Sequence, residues 1–111
     1  MIDFSLTDAQ REVQRTARAF AEREILPRIG ELDASATYDR ALYEKMGSEG
    51  LLGLPIPEQY GGSGLPLRVA AAIVQAIHQN GANAAACHAQ MYTMGTLLRH
   101  GSDAQKREYL P

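Results

Sequence analysis

The chain has 111 residues, of which 45% are hydrophobic and 22% charged, a composition that suits one soluble globular domain with a single core. The formal net charge of −2 gives no reason to expect nucleic acid or an anionic membrane as a partner, and no apolar stretch is long enough to span a bilayer. A lone cysteine, Cys87, excludes an intramolecular disulfide, and the first residues lack the regions of a signal peptide, so a cytoplasmic location is expected.

The first predicted helix begins at a capping box, Thr7-Asp8-Ala9-Gln10, whose two end side chains satisfy each other's backbone N–H groups. Apolar residues then recur at helical spacing, at Ala9, Val13, Ala17 and Phe20. Pro27 is predicted to break or kink this helix, because it lacks an N–H group and clashes with the preceding turn. A second apolar set continues beyond the break to Asp33 and consists of Ile25, Leu26, Ile29 and Leu32.

The next helix is predicted to begin at Asp39, which can cap it. Tyr38 and Tyr43 stand at the positions of a hydrophobic staple, and Gly47 and Gly50 are its candidate ends. Residues 51–65 are rich in proline and glycine and are predicted to form a loop. Irregular stretches of this length in compact domains are often functional.

The second half of the chain predicts three helices. Pro66 suits the first turn of the clearest one, whose apolar stripe is Val69, Ala72, Ile73, Ala76 and Ile77 and which Asn80-Gly81 ends. Asn83 is predicted to cap a further helix that ends near Gly101, and Ser102-Asp103-Ala104-Gln105 is a second capping box that opens a short final helix. Since no strand pattern is present, residues 1–111 are predicted to form one all-α domain, a bundle of five to six helices.

The reactive side chains do not form a recognisable catalytic or metal-binding set. His78, Cys87, His88 and His100 are not spaced along the chain as the ligands of known metal-binding motifs are. Adjacent residues of a helix point about 100° apart, which argues against Cys87 and His88 as a nucleophile–base pair and favours a buried, inert thiol. Gly61-Gly62-Ser63-Gly64 lacks the lysine and preceding strand of a phosphate-binding loop, so its glycines are predicted to shape a turn. The remaining acidic side chains are predicted to be solvated, among them Glu22, Glu24, Glu31 and Glu44.

The helix that follows Asn83 is unusually narrow in its first half, where alanine predominates. Small side chains would let a ligand or a second helix approach the backbone closely. A tight helix–helix contact is the alternative, with Met91, Tyr92 and Met94 as ordinary core residues. We expect residues 84–89 and the loop 55–64 to contribute to an exposed apolar face that another part of a larger protein covers.

Four segments, in order along the chain, resemble the N-terminal helical domain of the acyl-CoA dehydrogenases. The resemblance covers essentially the whole chain. The segments are Phe4-Ser5-Leu6-Thr7 with Gln10; Phe20-Ala21-Glu22-Arg23-Glu24-Ile25-Leu26-Pro27 with Asp33; Gly50-Leu51-Leu52-Gly53-Leu54 through Pro57-Glu58-Gln59-Tyr60-Gly61-Gly62-Ser63-Gly64; and Gly101-Ser102-Asp103-Ala104-Gln105-Lys106 through Tyr109-Leu110-Pro111.

The resemblance implies an enzyme that binds FAD, is usually a tetramer, and removes hydrogens from the α and β carbons of an acyl-CoA thioester. An electron-transfer flavoprotein would collect the electrons. In this family a flavin-binding β domain and a C-terminal helical domain, which holds the catalytic glutamate, follow the N-terminal domain. We therefore assign no catalytic residue to residues 1–111 and expect them alone to bind FAD weakly or not at all and not to oxidise an acyl-CoA.

In this family the N-terminal domain supplies one wall of the acyl pocket. By position on the helix before Gly101, the resemblance implies that this wall consists of Ala84, Ala85, His88, Met91 and Tyr92. His88 and Met91 are three residues apart, so both are expected on one face, where they would help to set acyl-chain length unless they are ordinary core residues. A histidine would be unusual against a straight alkyl chain and could instead face a neighbouring helix.

Two alternatives remain open from the sequence. An acyl-CoA oxidase or a flavin monooxygenase would share this domain. A stand-alone helical binding or interaction module, or a subunit without redox activity of its own, would use the same domain without the flavin.

Overall fold

The computed structural model describes all 111 residues and contains helices but no strands. The α-helices are α1 (Asp8–Phe20), α2 (Ile29–Ser35), α3 (Arg40–Ser48), α4 (Leu67–Gln79), α5 (Ala85–His100) and α6 (Asp103–Tyr109). A π-helix (Ala21–Ile25) and a 3-10 helix (Leu26–Arg28) join α1 to α2, and a second 3-10 helix (Glu58–Tyr60) interrupts the loop before α4. The prediction of an all-α bundle of five to six helices is confirmed.

Helix α1 begins at the predicted capping box. The Thr7 hydroxyl accepts from the Gln10 N–H at 3.2 Å, and the Gln10 side chain accepts from the Thr7 N–H at 3.0 Å. Ala17 and Phe20 are fully buried, and Val13 is half-buried. The assignment of Ala9 to the apolar stripe is wrong, because Ala9 lies in the first turn at the edge of the packed face and is exposed.

The predicted interruption at Pro27 is confirmed, and it begins one turn earlier as a π-helix. There the Leu26 N–H donates to the carbonyl of Ala21, five residues back instead of four. This wider turn places Ile25 against the core and turns Leu26 outward, with 48% of its surface exposed. Leu26 was therefore wrongly included in the second apolar set.

Helix α3 has the predicted start and a well-defined end. Asp39 Oδ1 accepts from the Leu42 N–H at 3.3 Å, and the rings of Tyr38 and Tyr43 stack with their centroids 5.0 Å apart, which confirms the cap and the staple. At the other end the Leu51 N–H donates to the Met46 carbonyl at 3.0 Å, and Gly50 has φ +75°, as in a Schellman motif. The helix thus passes through Gly47 and is ended by Gly50.

The main core lies where α1, the π-helix, α3 and α4 meet the first half of α5. Helix α1 packs along α4, and every member of the predicted α4 stripe is buried. A second, smaller cluster joins the loop 51–65 to α5 and the C-terminus through Ile56, Met94 and Leu110. The bundle is flat, with extents of 41 × 39 × 20 Å, so that it is about two helices thick.

The loop 51–65 is irregular as predicted, apart from its short 3-10 helix, and it is held by close backbone contacts. Gly61 and Gly64 have φ values of +86° and +61°, which confirms that these glycines shape the turn. Gly62 has a different reason to be glycine: a Cβ atom there would lie 2.6 Å from the Gly53 carbonyl oxygen and would also collide with the Ile56 carbonyl.

The starts of the last three helices differ slightly from prediction. Pro66 occupies the capping position before α4, one residue ahead of the predicted first turn. Ala84, not Asn83, precedes the first turn of α5, and the Asn83 side chain accepts from the Ala85 N–H at 2.9 Å. The Ser102–Gln105 capping box of α6 is confirmed. None of the six α-helices combines the length and the apolar character that crossing a membrane requires.

Candidate functional site

The five residues predicted to form a pocket wall lie on two different sides of α5. Ala84 and Met91 are buried in the main core, with exposed fractions of 1% and 8%. Ala85, His88 and Tyr92 are exposed on one face, as their spacing of three and four residues requires. His88 and Met91 therefore do not share a face, because the boundary of the core runs between them.

Ala85, His88 and Tyr92 are exposed along one side of α5, and the half-buried Gly95 lies next to them in helical spacing. We call these four residues the α5 outer face. The rings of His88 and Tyr92 meet edge to face, with centroids 5.3 Å apart and an interplanar angle of 61°. At Gly95 an added Cβ atom would meet nothing within 4 Å. A glycine inside a helix costs about 1 kcal/mol relative to alanine, and no contact within this chain requires it here. The α5 outer face thus has room for another molecule or segment.

Two members of the α5 outer face, His88 and Tyr92, carry polar groups at the surface of this chain. The hydroxyls of Thr93 and Thr96 are engaged by backbone carbonyls of their own helix, at 2.8 and 2.9 Å. The imidazole of His88 and the phenol of Tyr92 donate no hydrogen bond within the chain. Helix α5 contains no aspartate or glutamate, and its basic residues, Arg99 and His100, lie in its last turn. The α5 outer face therefore presents hydrogen-bond donors without a nearby carboxylate on the same helix.

Cys87 lies on the opposite side of α5 from Ala85. It is 1% exposed, and burial raises the pKa of its thiol to about 11. The predicted burial of this cysteine is therefore confirmed, and its raised pKa keeps the thiol protonated at neutral pH, as expected of an unreactive cysteine. His88 points to the surface, so the two side chains do not form a nucleophile–base pair.

A cavity of about 380 Å³ lies beneath α5, bounded by α2, α3 and the α4–α5 connection. Its lining is mostly apolar and includes Ile29, Leu42 and Met46 together with Ala84 and Cys87. No residue of the α5 outer face contributes to this cavity. The cavity and the α5 outer face are therefore separate. Of the two buried wall residues, Ala84 lines the cavity, and both Ala84 and Met91 belong to the main core.

Three of the four glutamates that were named as solvated are exposed, and the fourth, Glu24, is not. Glu22, Glu31 and Glu44 are exposed, but the Glu24 side chain is only 23% exposed. It accepts from Lys45 at 2.8 Å and from Arg23 at 3.0 Å, and these bonds lower its pKa. Glu24 differs because the π-helix brings it against α3. No three histidine, cysteine, aspartate or glutamate side chains are placed to hold a metal ion.

The apolar surface expected at residues 84–89 and 55–64 is only partly exposed. Within 84–89 the buried Ala84 and Cys87 alternate with more exposed neighbours, and within the loop Ile56 is buried in the smaller cluster. The large exposed apolar side chains lie instead mainly near the N-terminus and on scattered helix surfaces: Met1, Ile2, Phe4, Leu26, Tyr38, Leu67, Tyr92 and Tyr109. Gly95 is the one member of the α5 outer face that sequence reasoning missed, although a glycine inside a predicted helix was a visible signal.

Comparison with known proteins gives a consistent result. The sequence profile of the family described as "Acyl-CoA dehydrogenase, N-terminal domain" matches residues 7–111. The chain is 31% identical to a probable acyl-CoA dehydrogenase of Bacillus subtilis, over 98% of this chain and 29% of that protein. It is also 31% identical to a 3-sulfinopropanoyl-CoA desulfinase of Paraburkholderia xenovorans, over 94% of this chain and 27% of that protein.

A solved structure extends the match to three dimensions. The structure of butyryl-CoA dehydrogenase from Megasphaera elsdenii superimposes with a TM-score of 0.87 at 27% identity, covering 98% of this chain and 30% of that chain. The chain thus spans somewhat less than a third of the length of the relatives it matches. Because the profile match runs through all six helices, the chain belongs to the acyl-CoA dehydrogenase family, as its N-terminal helical domain.

Proposed function

We propose that the protein carrying this chain is an FAD-dependent acyl-CoA dehydrogenase that performs α,β-dehydrogenation of an acyl-CoA thioester. In this proposal the α5 outer face forms one wall of the acyl pocket. The observation that carries it is the grouping of Ala85, His88 and Tyr92 on an exposed helix face with an interior glycine beside them. A face of this kind suits close approach by a ligand.

The five predicted wall residues then take two roles. Ala85, His88 and Tyr92 would contact the acyl group directly, because their side chains are exposed on the same face. Ala84 and Met91 would support that face from the core, in which both are buried. The size of Ala85 sets how closely a ligand can approach the first turn of α5.

We expect that the residues of this chain do not make a flavin site by themselves. Every buried polar side-chain atom already has a hydrogen-bond partner, so none is held ready for a cofactor. The oxidising chemistry of the proposed enzyme is that of FAD when bound, and no step of it is assigned to residues 1–111. Residues 1–111 alone are expected to bind FAD weakly or not at all.

The proposal extends to the assembly and setting of the complete protein. By family membership it would be a homotetramer, pass electrons to an electron-transfer flavoprotein, and act in the cytoplasm. Gel filtration of the complete protein and reduction assays with that acceptor test the first two points directly.

Enlarging Ala85 tests the proposed wall. In the complete protein, Ala85→Phe should lower kcat/KM more for long acyl-CoAs than for short ones, because a filled wall excludes the far end of a long chain. Each excluded methylene is worth roughly 1–3 kcal/mol. Ala41→Phe, at an exposed alanine of α3, is the matched control and should leave the chain-length profile unchanged.

Two results would count against the proposal. A uniform effect of Ala85→Phe on all chain lengths would remove the wall assignment. Absence of acyl-CoA-dependent dye reduction in the flavin-loaded complete protein would favour the alternative, a helical binding module or subunit without redox activity.

A further inference from the structure

We infer that Asn80, at the end of α4, is a site of spontaneous deamidation whose rate is set by opening of the last turn of that helix. The residue stands before Gly81 and begins the connection between α4 and α5, which also contains Asn83. These two residues are the only asparagines of residues 1–111. The inference concerns the chemistry of this connection and is independent of the proposed function.

The reaction joins the asparagine side chain to the peptide nitrogen that follows it. The Gly81 nitrogen attacks Asn80 Cγ, so that an N–Cγ bond forms, the Cγ–Nδ2 bond breaks, and Nδ2 leaves as ammonia with the proton that the Gly81 nitrogen gives up. Water then opens the cyclic imide at either carbonyl and leaves aspartate or isoaspartate at position 80. Water is the only other reactant, and no electrons are transferred.

The residue after each asparagine distinguishes the two candidate sites. Gly81 is exposed, has no side chain to shield its nitrogen, and with φ +81° adopts a conformation in which glycine is unstrained. Ala84 follows Asn83, carries a methyl group beside its nitrogen and is only 1% exposed. Asn80 therefore has the more accessible nucleophile.

The folded structure holds both reacting groups of the Asn80–Gly81 pair in place. The Gly81 N–H donates to the His78 carbonyl at 2.9 Å, and the Asn80 side-chain amide donates to the Ala76 carbonyl at 2.8 Å. The nucleophile and the leaving group must both separate from these partners before the ring can close. Both bonds belong to the last turn of α4, and helix ends open locally far more often than the whole domain unfolds. The reaction should therefore proceed in the folded protein, more slowly than in the unfolded chain.

The product would alter the start of α5. A carboxylate at position 80 lies at the negative end of the α4 dipole and cannot donate to the Ala76 carbonyl. Isoaspartate also lengthens the backbone by one methylene ahead of Ala82 and Ala84, which are both buried in the main core. Deamidation should therefore loosen the junction between α4 and α5.

The test follows deamidation by mass spectrometry in the complete protein, kept at mildly alkaline pH with and without denaturing urea. Trypsin releases both asparagines in one peptide, residues 69–99, because no lysine or arginine lies between Arg68 and Arg99. A zero-time sample corrects for product formed during digestion. Two hydrogen bonds hold the turn closed, so we expect unfolding to speed the deamidation of Asn80 by about tenfold to a hundredfold, with little product at Asn83.

Paired substitutions test each step. In urea, Gly81→Ala should suppress the reaction at Asn80, and Ala84→Gly should create it at Asn83. In the folded protein, Asn80→Asp reproduces one product and should lower the midpoint of urea unfolding followed by circular dichroism. Asn83→Asp is the matched control: its carboxylate lies at the start of α5, where it can still accept from the Ala85 N–H, and it should leave the midpoint equal or higher.

Three results would overturn the inference. Equal product at Asn80 and Asn83 in urea would show that Gly81 does not select the site. Equal rates with and without urea would show that the two hydrogen bonds do not restrain the reaction. A rate in the folded protein more than about a thousandfold below that in urea, as global unfolding alone would give, would show that the last turn of α4 does not open by itself.

Discussion

Gly62 offers a sharp test of the packing between the loop 51–65 and the helices, because an added methyl group there has no space. The new Cβ atom would lie 2.6 Å from the Gly53 carbonyl oxygen and closer still to the Ile56 carbonyl. Both obstacles are backbone, so they cannot move aside as a side chain would. The backbone φ of Gly62 is not in the left-handed region, so the expected penalty of Gly62→Ala is steric.

The magnitude follows from what must shift. Moving the two carbonyls would disturb the three bonds that they accept. The Ile56 carbonyl accepts from the Gly64 N–H at 2.8 Å, and the Gly53 carbonyl accepts from the Ile56 N–H at 3.1 Å and the Ser63 N–H at 3.4 Å. Weakening these three bonds costs about 2 kcal/mol in total, and partial exposure of the buried Ile56 adds about another 1 kcal/mol. We expect Gly62→Ala to lower the free energy of unfolding by about 3 kcal/mol and the Tm by roughly 10 °C.

Urea unfolding followed by circular dichroism measures this effect, with Gly30→Ala as the matched control. Gly30 lies in α2, and a Cβ atom there would meet nothing within 4 Å. The same substitution should therefore stabilise the chain by about 0.5–1 kcal/mol. If Gly62→Ala proves as stable as the unaltered chain while Gly30→Ala behaves as expected, the close backbone approach at Gly62 does not exist in solution.

Two further predictions concern the buried side of α5. Met91→Trp should lower the free energy of unfolding by about 1–3 kcal/mol, because the larger side chain overpacks the core. In the complete protein it should leave the dependence of kcat/KM on acyl-chain length unchanged. A changed dependence would show that Met91 contacts the acyl chain after all. Because burial raises the pKa of Cys87 to about 11 from 9.0, the unfolded thiol ionises first, and this residue's contribution to stability is present below pH 9 and lost as the pH rises toward 11. Cys87→Ala should weaken that decline in urea-unfolding measurements, and an identical decline in both proteins would contradict the assignment.

The sequence was sufficient to predict those parts of the fold that depend only on residues close together in the chain. The capping boxes at Thr7 and Ser102 and the stripe of α4 needed only short-range periodicity and side-chain hydrogen bonding. Helix α5 was harder, because small residues surround its first half and its apolar periodicity is weak, so the sequence did not show that Met91 enters the core while His88 stays outside. The contact of Gly62 with Gly53 depends on how the loop folds back, which composition alone does not specify.

The π-helix at Ala21–Ile25 gives this part of the chain an unusual tolerance to changes in length. Its turn contains one residue more than an α-helix would use to cover the same rotation. Deleting Glu22, which is exposed, would let the segment relax into a continuous α-helix in which Phe20 and Ile25 come four residues apart and can both still reach the core. Deleting one residue from the middle of α4 would instead rotate every later side chain of that helix by about 100° and turn part of its buried stripe to solvent. Natural length variation among related chains should therefore be concentrated at the π-helix, and the α4 stripe should keep a fixed length.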